Sequence, residues 1–143
     1  MKEYDINLAK LLTYSGTLPF IGCALVTALQ LNAIDAAFVA HAYSVVIISF
    51  LCGIHWAIYL FFSEKCLNNL LLSSNIIALI AWISLIASAN KISLLFQPLC
   101  FLYLLMLDRK LRDVGVLATW FYDLRRNATI IVIVSLIIVM GLS

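Results

Sequence analysis

Five long runs of apolar residues divide the chain, and shorter polar stretches separate them. The runs are approximately Leu8–Leu29, Ala36–Phe62, Leu67–Ala89, Ile92–Leu107 and Ala128–Leu142. A bilayer core about 30 Å thick needs about 20 apolar residues in a helix that rises 1.5 Å per residue. The pattern therefore predicts an all-α integral membrane protein with five transmembrane helices in one domain, residues 1–143. The predicted helices are approximately 8–29, 36–62, 67–89, 92–107 extending to about 113, and 119–142.

Two prolines modify these helices in different ways. Pro19 lies in the middle of the first run, where it predicts a kink that frees a backbone carbonyl near Ser15. Pro98 lies near the start of the fourth helix, where its missing N–H costs little. We therefore expect Pro19 to bend the first helix and Pro98 to be tolerated at the start of the fourth.

The polar stretch between the last two runs is predicted to be ordered. The fourth helix is expected to continue to Gly115, because two oppositely charged pairs have helical i,i+4 spacing. These pairs are Asp108 with Arg112 and Arg109 with Asp113. Three consecutive aromatic residues then predict an interfacial belt, from which two arginines are expected to extend to lipid phosphates. They are Trp120, Phe121 and Tyr122, followed by Arg125 and Arg126.

The distribution of basic residues predicts the orientation. With five spans, eight Lys and Arg residues share the side of the N-terminus, and Lys91 alone lies on the other side. Cytoplasmic loops carry an excess of such residues, so the pattern predicts a compact bundle with the N-terminus in the cytoplasm and the C-terminus outside. The chain lacks an Arg-rich and Ser-rich start that is poor in acids, which favours a bacterial cytoplasmic membrane over a mitochondrial inner membrane.

Composition supports a membrane protein and excludes several classes. Hydrophobic residues make up 65% of the chain and charged residues 11%, and the mean hydropathy is +1.11. A water-soluble domain is about half apolar and a quarter charged, so these values exclude a soluble enzyme, a nucleic-acid-binding protein and a disordered scaffold. The four cysteines are dispersed without zinc-like spacing, so we expect small buried side chains and no metal site.

The second predicted helix carries a polar stripe that centres on His55. At 100° per residue, six positions fall within about 60° of one line, and Gly53 beside them is expected to permit close helix approach. The six are His41, Ser44, Ile48, Cys52, His55 and Tyr59. The third helix carries a second stripe, formed by Asn68, Asn75, Ala78, Trp82 and Ala89. Because lipid offers no hydrogen bonds, both stripes are predicted to face other helices.

The depths of several polar residues predict one polar layer in the cytoplasmic half of the bundle. His55 and Asn75 lie about 10 and 12 Å from the cytoplasmic ends of their helices, at 1.5 Å per residue. The residues expected in this layer are Tyr14, Ser15, His55, Asn75 and Ser135. His55 is predicted to face the bundle and to find its partner on the first or third helix. Two interpretations stay open, namely hydrogen-bonded packing and a pocket that binds protons or a ligand.

No catalytic, metal or cofactor constellation is recognisable. The sequence lacks a Ser/His/Asp set at one depth, an HExxH motif and a phosphate-binding glycine loop. Every Asp and Glu is expected at or beyond a helix end, so no buried carboxylate is predicted, which weakens the case for an ion-coupled pump. His41 and His55 have the spacing of residues that serve two stacked haems, but they share one helix, so we expect no haem.

Several short motifs resemble a known family. The runs Phe50-Leu-Cys-Gly-Ile-His-Trp56 and Leu107-Asp-Arg-Lys-Leu111 resemble signatures of the transmembrane-protein-69-like family, which contains the domain of unknown function 3429. Trp120 with Leu124-Arg-Arg126, and Tyr14-Ser-Gly-Thr-Leu-Pro-Phe20, are also similar to this family. The resemblance implies a small multi-helix membrane protein without an established activity. It draws attention to Gly53, His55, Trp56, Asp108, Arg109, Trp120 and Arg125.

These observations favour a non-enzymatic accessory, assembly or interaction protein that works in the bilayer through a membrane partner or as a homo-oligomer. The cytoplasmic stretch Asp108–Arg126 is a candidate docking surface. One alternative is a small transporter or channel that uses the His55 layer. Another is binding of a lipid or quinone between helices, with His55 and Trp56 as polar contacts. A water path past His55 would favour transport, and a closed layer beside an apolar groove would favour the accessory role.

Overall fold

The protein is entirely helical in the part that the computed structural model describes, residues 1–87 and 91–143. Six α-helices are present, namely α1 (Glu3–Ser15), α2 (Leu18–Ala28), α3 (Ala36–Phe62), α4 (Leu70–Ile86), α5 (Phe96–Asp113) and α6 (Thr119–Leu142). Two short 3₁₀ turns, Ser63–Lys65 and Lys91–Leu95, precede α4 and α5 respectively. The all-helical class predicted from the sequence is confirmed. The predicted end of the third segment at Ala89 lies outside the described residues.

The first predicted segment is divided into α1 and α2 at Gly16 and Thr17. Both residues keep right-handed helical dihedral angles, and Pro19 stands in the first turn of α2, so the interruption is a bend of one continuous apolar stretch. The hydroxyl of Tyr43 on α3 donates a hydrogen bond to the Gly16 carbonyl at 2.9 Å. The sequence predicts a free carbonyl near Ser15. The carbonyl that accepts a hydrogen bond from α3 is that of Gly16, one residue further along the chain.

Side-chain caps explain where two helices begin. Asp35 accepts a hydrogen bond from the backbone N–H of Phe38, and α3 occupies the 36–62 range expected from its apolar run. Asn69 accepts from the N–H groups of Leu71 and Leu72, so α4 begins at Leu70 and not at the predicted residue 67. A capping side chain satisfies N–H groups that have no partner in the first turn, which fixes the start of the helix.

Four helical stretches among the described residues are long and apolar enough to cross a membrane. They are Glu3–Ala28, Ala36–Lys65, Ile92–Asp113 and Thr119–Leu142. The remaining predicted span, the third at 67–89, corresponds to α4, which is apolar but has only 17 residues, or about 25 Å at 1.5 Å per residue. By their length and composition these four helices indicate a membrane-embedded protein, whereas the five-span count depends on α4.

The core lies around α3, α5 and α6, with α2 packed on α6 and α4 packed along α3. One large apolar cluster includes Phe20, Ile48, Phe101, Leu104 and Leu136, all of which are almost completely buried. A second, smaller cluster of Leu70, Leu107 and Leu111 lies nearer the α5–α6 turn. Helix α1 is peripheral, because it contains no buried residue and packs mainly on α6.

A glycine-terminated turn returns the chain from α5 to α6. Gly115 has φ +80°, and its N–H bonds to the Arg112 carbonyl while the N–H of Val116 bonds to the Leu111 carbonyl. These two bonds form a Schellman motif, in which glycine supplies the left-handed conformation without steric cost. The turn is short, so α5 and α6 pack side by side and their charged ends face each other.

Candidate functional site

A buried ionic cluster joins three helices of the bundle. The carboxylate of Asp108 on α5 accepts from His55 Nε2 on α3 at 2.8 Å and from Arg125 Nε on α6 at 3.1 Å. The exposed fraction is 2% for His55, 3% for Asp108 and 8% for Arg125. An ionised carboxylate only accepts hydrogen bonds, so His55 donates its Nε2 proton to Asp108. We call these three residues the ionic cluster.

Local helix geometry places the three side chains at one depth. His55 lies seven residues before the end of α3, Asp108 five residues before the end of α5 and Arg125 six residues after the start of α6. At 1.5 Å per residue these offsets are about 8–11 Å from the same end of the bundle. Along α5 the larger apolar cluster ends at Leu104 and the smaller one begins at Leu107. Asp108 directly follows Leu107, so the ionic cluster lies beside the smaller apolar cluster, one turn of α5 beyond Leu104 of the larger one.

The cluster leaves hydrogen-bonding capacity unused. His55 Nδ1 and Arg125 Nη2 are buried atoms that lack a hydrogen-bond partner among the described residues. Thr129 Oγ1, one helical turn after Arg125, is a third such atom. Unsatisfied buried polar atoms are costly, and in native proteins they often mark a place where a water or ligand binds.

The buried carboxylate overturns an expectation from the sequence. The apolar run predicts Asp108 at its polar end with Arg112 as the i,i+4 partner. Helix α5 continues to Asp113 as predicted, but the side chain of Asp108 faces inward. Arg112 instead pairs with the neighbouring Asp113 at 3.1 Å, and Arg109 is exposed. The reason is that α6 returns beside α5 and brings Arg125 to Asp108, which compensates the charge of the buried carboxylate.

The predicted polar layer is only partly correct. His55 faces the bundle, but its partner comes from α5 and not from the first or third predicted helix. Tyr14, Ser15 and Asn75 are exposed and do not contact the ionic cluster. Ser135 is buried, but its hydroxyl donates to the Ile131 carbonyl of its own helix at 2.8 Å. A shared depth does not bring residues together unless their helix faces also point at each other.

The predicted stripe on α4 is wrong for the same reason. Asn68, Asn75 and Trp82 are exposed, and Ala78 is half-buried. The buried face consists of Leu70, Ser74, Ile77, Ala81 and Ser84. On α3 the predicted stripe is buried from His41 to His55, but Gly53 beside it is exposed and has open space where a Cβ would lie, so it does not permit a close helix approach.

The aromatic belt and the two arginines also differ from the expectation. Trp120 and Phe121 are half-buried at the start of α6, whereas Tyr122 is 7% exposed and has the guanidinium of Arg112 over its ring at 4.3 Å. Arg126 is exposed and pairs with Asp123, but Arg125 points inward. Trp56 is 41% exposed on the outer face of α3, so it is not part of the cluster.

A second buried polar cluster, which the sequence pattern does not indicate, lies toward the other end of α3. Ser84 Oγ on α4 lies 3.2 Å from His41 Nε2 and accepts from Gln97 Nε2 at 2.7 Å. Gln97 on α5 also donates to the Ala81 carbonyl, while its Oε1 has no partner among the described residues. The available signal was an amide within an apolar run just before Pro98. His41 and His55 are 14 residues apart, about 21 Å along α3.

The ionic cluster contains two residues of metal-ligating types, His55 and Asp108, and the second polar cluster contains one, His41. In residues 1–87 and 91–143 there is no group of three or more His, Cys, Asp or Glu side chains that could hold a metal ion. The Nε2 atoms of His55 and His41 already contact Asp108 and Ser84 respectively. The ionic cluster can instead hold a proton between His55 and Asp108, and Arg125 can donate to an oxygen acceptor.

Comparison with known proteins gives a family without an assigned activity. No curated protein and no solved structure matches the chain. The model of one protein family matches residues 6–141, which is nearly the whole chain and includes all three members of the ionic cluster. The chain therefore belongs to the family described as protein of unknown function DUF3429.

Proposed function

We propose that the protein is a non-enzymatic interaction protein of the membrane that works as a homo-oligomer, through the face of α4 that carries Asn75. The exposure of Asn75 is the observation that carries this proposal. Its side chain has no hydrogen bond to any described residue, and exposed apolar side chains surround it. These neighbours are Leu72, Ile76 and Leu79. An amide that faces hydrocarbon without a partner is costly, and a bond to another helix typically returns about 0.6–2 kcal/mol.

The chemistry of Asn75 favours a second copy of this chain as the partner. A primary amide has both donors and an acceptor, so two identical amides satisfy each other across a two-fold axis. Beside this face is a groove of about 330 Å³, whose lining includes Asn68, Ser73, Ile76 and Tyr103. The groove gives the face the concave shape that side chains of an opposing helix need. A different membrane helix of similar chemistry is the alternative partner.

The ionic cluster serves a structural role in this proposal. His55 and Asp108 are almost inaccessible, so a substrate does not reach them without separation of the helices. Asp108 joins α3, α5 and α6 through two charge-assisted hydrogen bonds, which fixes how the three helices align. A closed polar layer of this kind supports a stable scaffold and supports neither hydrolysis nor group transfer.

The proposal includes a five-span topology in the bacterial cytoplasmic membrane. Residues 63–69 join α3 to α4, and α4 packs along α3, so α4 runs back across the bilayer in the opposite direction. Its 17 residues are about 5 Å short of a 30 Å core, and local thinning of the bilayer accommodates such a mismatch. The excess of basic residues near the α3–α4 and α5–α6 turns favours a cytoplasmic N-terminus and an external C-terminus.

The test is self-association of the full-length protein in lipid vesicles. Chains labelled with donor or acceptor fluorophores are mixed, and energy transfer is measured as the ratio of protein to lipid is varied. We expect dimers for the wild type, association at least threefold weaker for Asn75→Val, and near-normal association for Asn75→Gln, which keeps an amide. Asn127→Val is the control, because Asn127 is an exposed amide on α6 that already donates to the Tyr14 hydroxyl of the same chain at 3.5 Å. A wild type that stays monomeric at all ratios would contradict the proposal.

A second candidate is proton-coupled transport, and the burial of Asp108 beside His55 favours it. Intramembrane acids and histidines commonly form proton relays. Vesicles loaded with a pH-sensitive dye distinguish the two functions. Flux that disappears in His55→Gln while the protein still folds would support transport, and flux that is absent in wild type and variant alike agrees with the structural role.

A further inference from the structure

An apolar groove of about 350 Å³ runs beside the ionic cluster, on the side of the bundle that faces α1. Its lining comes from α1, α2 and the bend between them, from α3 and α6, and from one residue of α5. Large side chains of the lining include Leu12, Phe20, Phe50 and Phe101. The volume and the apolar lining are those of a site for a small lipophilic molecule.

Two polar residues in the lining have atoms without a partner. Arg125 and Thr129 both line the groove, and Arg125 Nη2 and Thr129 Oγ1 lack hydrogen bonds to any described residue. The other two threonines in the lining are satisfied, because Thr13 donates to the Ala9 carbonyl and Thr17 to the Tyr14 carbonyl. Arg125 and Thr129 are only 8% and 1% exposed, so water does not satisfy these atoms freely.

The charge of the site selects a neutral acceptor. The positive charge of Arg125 is compensated by Asp108, to which its Nε donates at 3.1 Å. An anionic group would add an uncompensated charge in a medium of low dielectric constant. A carbonyl oxygen accepts hydrogen bonds from Arg125 Nη2 and Thr129 Oγ1 and adds no charge. A ligand with a carbonyl group on a long apolar chain therefore matches both the polar atoms and the groove.

Position in the membrane favours a diacyl lipid over other carbonyl compounds. Arg125 lies about 9 Å from the start of α6, and the apolar run of α6 begins at Ala128. Trp120 at the start of α6 is of the residue type that lies at headgroup level. Arg125 and Thr129 thus lie at the boundary between headgroups and hydrocarbon, where the ester carbonyls of a bilayer lipid are found.

We propose that this groove binds one diacyl lipid, with an acyl chain against α1, α2 and α3 and an ester carbonyl oxygen accepting from Arg125 Nη2 and Thr129 Oγ1. The site is separate from the oligomer face of α4, because no described residue of α4 lines it. It also differs from the sequence-based hypothesis of a lipid or quinone at His55 and Trp56, since neither residue lines the groove.

The test compares an ester lipid with its ether analogue. The full-length protein is purified in mild detergent, depleted of lipid, and incubated with a diacyl phosphatidylcholine or with the diether lipid of equal chains and headgroup. Native mass spectrometry then measures the retained lipid. We expect the wild type to retain the ester lipid about tenfold better, because two hydrogen bonds depend on the carbonyl.

Variants locate the site. Thr129→Val keeps the shape of the side chain and removes the hydroxyl, so the ester preference is expected to fall about threefold, whereas Thr13→Val in the same lining leaves it unchanged. Ala9→Trp fills the groove from the α1 side and is expected to reduce retention of both lipids. Asn75→Val is expected to retain lipid as the wild type does, which separates this proposal from the one on oligomers.

Three results would contradict the proposed lipid site. Equal retention of ester and ether lipid by the wild type would overturn the carbonyl contact. Retention that Ala9→Trp leaves unchanged would overturn the groove as the site. Displacement of the ester lipid by an equimolar benzoquinone with an isoprenoid tail, lost in Thr129→Val, would overturn the diacyl lipid in favour of a quinone.

Discussion

Replacement of Asp108 by asparagine tests the ionic cluster most directly. The change keeps the shape of the side chain and removes its charge. The carbonyl oxygen of the introduced amide can still accept from Arg125 Nε, and its NH₂ group can donate to His55 Nε2 after a change of histidine tautomer. What is lost is the negative charge opposite a guanidinium that is more than nine-tenths buried.

The expected loss follows from the burial of the pair. Removal of one partner of a buried ion pair leaves an uncompensated charge and typically costs about 3–5 kcal/mol. Hydrogen bonds to charged groups contribute about 1.5–3 kcal/mol each, and Asp108 accepts two of them. We therefore expect Asp108→Asn to lower the free energy of unfolding by about 3–5 kcal/mol, a large share of the roughly 5–15 kcal/mol of a folded domain.

The assay is reversible unfolding in mixed micelles with increasing sodium dodecyl sulfate, followed by Trp fluorescence and far-ultraviolet circular dichroism. Asp113→Asn is the matched control, since its carboxylate is also paired with an arginine on α5 but is 59% exposed. Exposed pairs contribute little, so the control is expected to lose at most about 1 kcal/mol. The double variant Asp108→Asn/Arg125→Gln removes both charges and is expected to be more stable than Asp108→Asn alone.

Two results would refute this reasoning. If Asp108→Asn and Asp113→Asn destabilise the protein equally, the buried pair does not stabilise the bundle through its charge. The second is additivity. If the Arg125→Gln change lowers the free energy of unfolding by the same amount in the wild type and in Asp108→Asn, the two residues do not interact.

Three further predictions concern other parts of the fold. Tyr43→Phe removes the hydroxyl that bonds to the Gly16 carbonyl and is expected to lower the free energy of unfolding by about 1 kcal/mol in the same assay; an unchanged midpoint would show that water or lipid replaces this bond. Gly115→Ala forces a side chain into the left-handed region at φ +80° and is expected to cost about 1–2 kcal/mol, whereas a stable variant would contradict the Schellman motif as the reason for the turn. In a cysteine-labelling scan of intact cells, Ser143→Cys is expected to react with an impermeant reagent and Lys65→Cys only after permeabilisation; labelling of Lys65→Cys from outside would overturn the predicted topology.

Local sequence was sufficient to predict most of the helical segments. Apolar runs of sufficient length predicted α3 and α6 at the ranges that the structure shows. Pro19 predicted the bend in the first segment. The oppositely charged pairs at i,i+4 spacing, together with Gly115, predicted the extension of α5 to its terminal turn. These features depend on interactions within one segment, such as hydrogen bonds between residues four apart, so local sequence contains the information.

Which helix faces point inward depends on how the helices pack, and local sequence does not contain that information. On α4 two stripes have helical spacing, and the exposed one through Asn75 is as regular as the buried one through Ser74. In a soluble protein the apolar stripe would identify the buried face, but lipid tails are as apolar as Leu, so that contrast disappears in a membrane. The prediction that the partner of His55 lies on the first or third predicted helix was wrong for a related reason. Asp108 and Arg125 lie at the polar ends of apolar runs, and only the return of α6 beside α5 brings the two charges together and makes their burial possible.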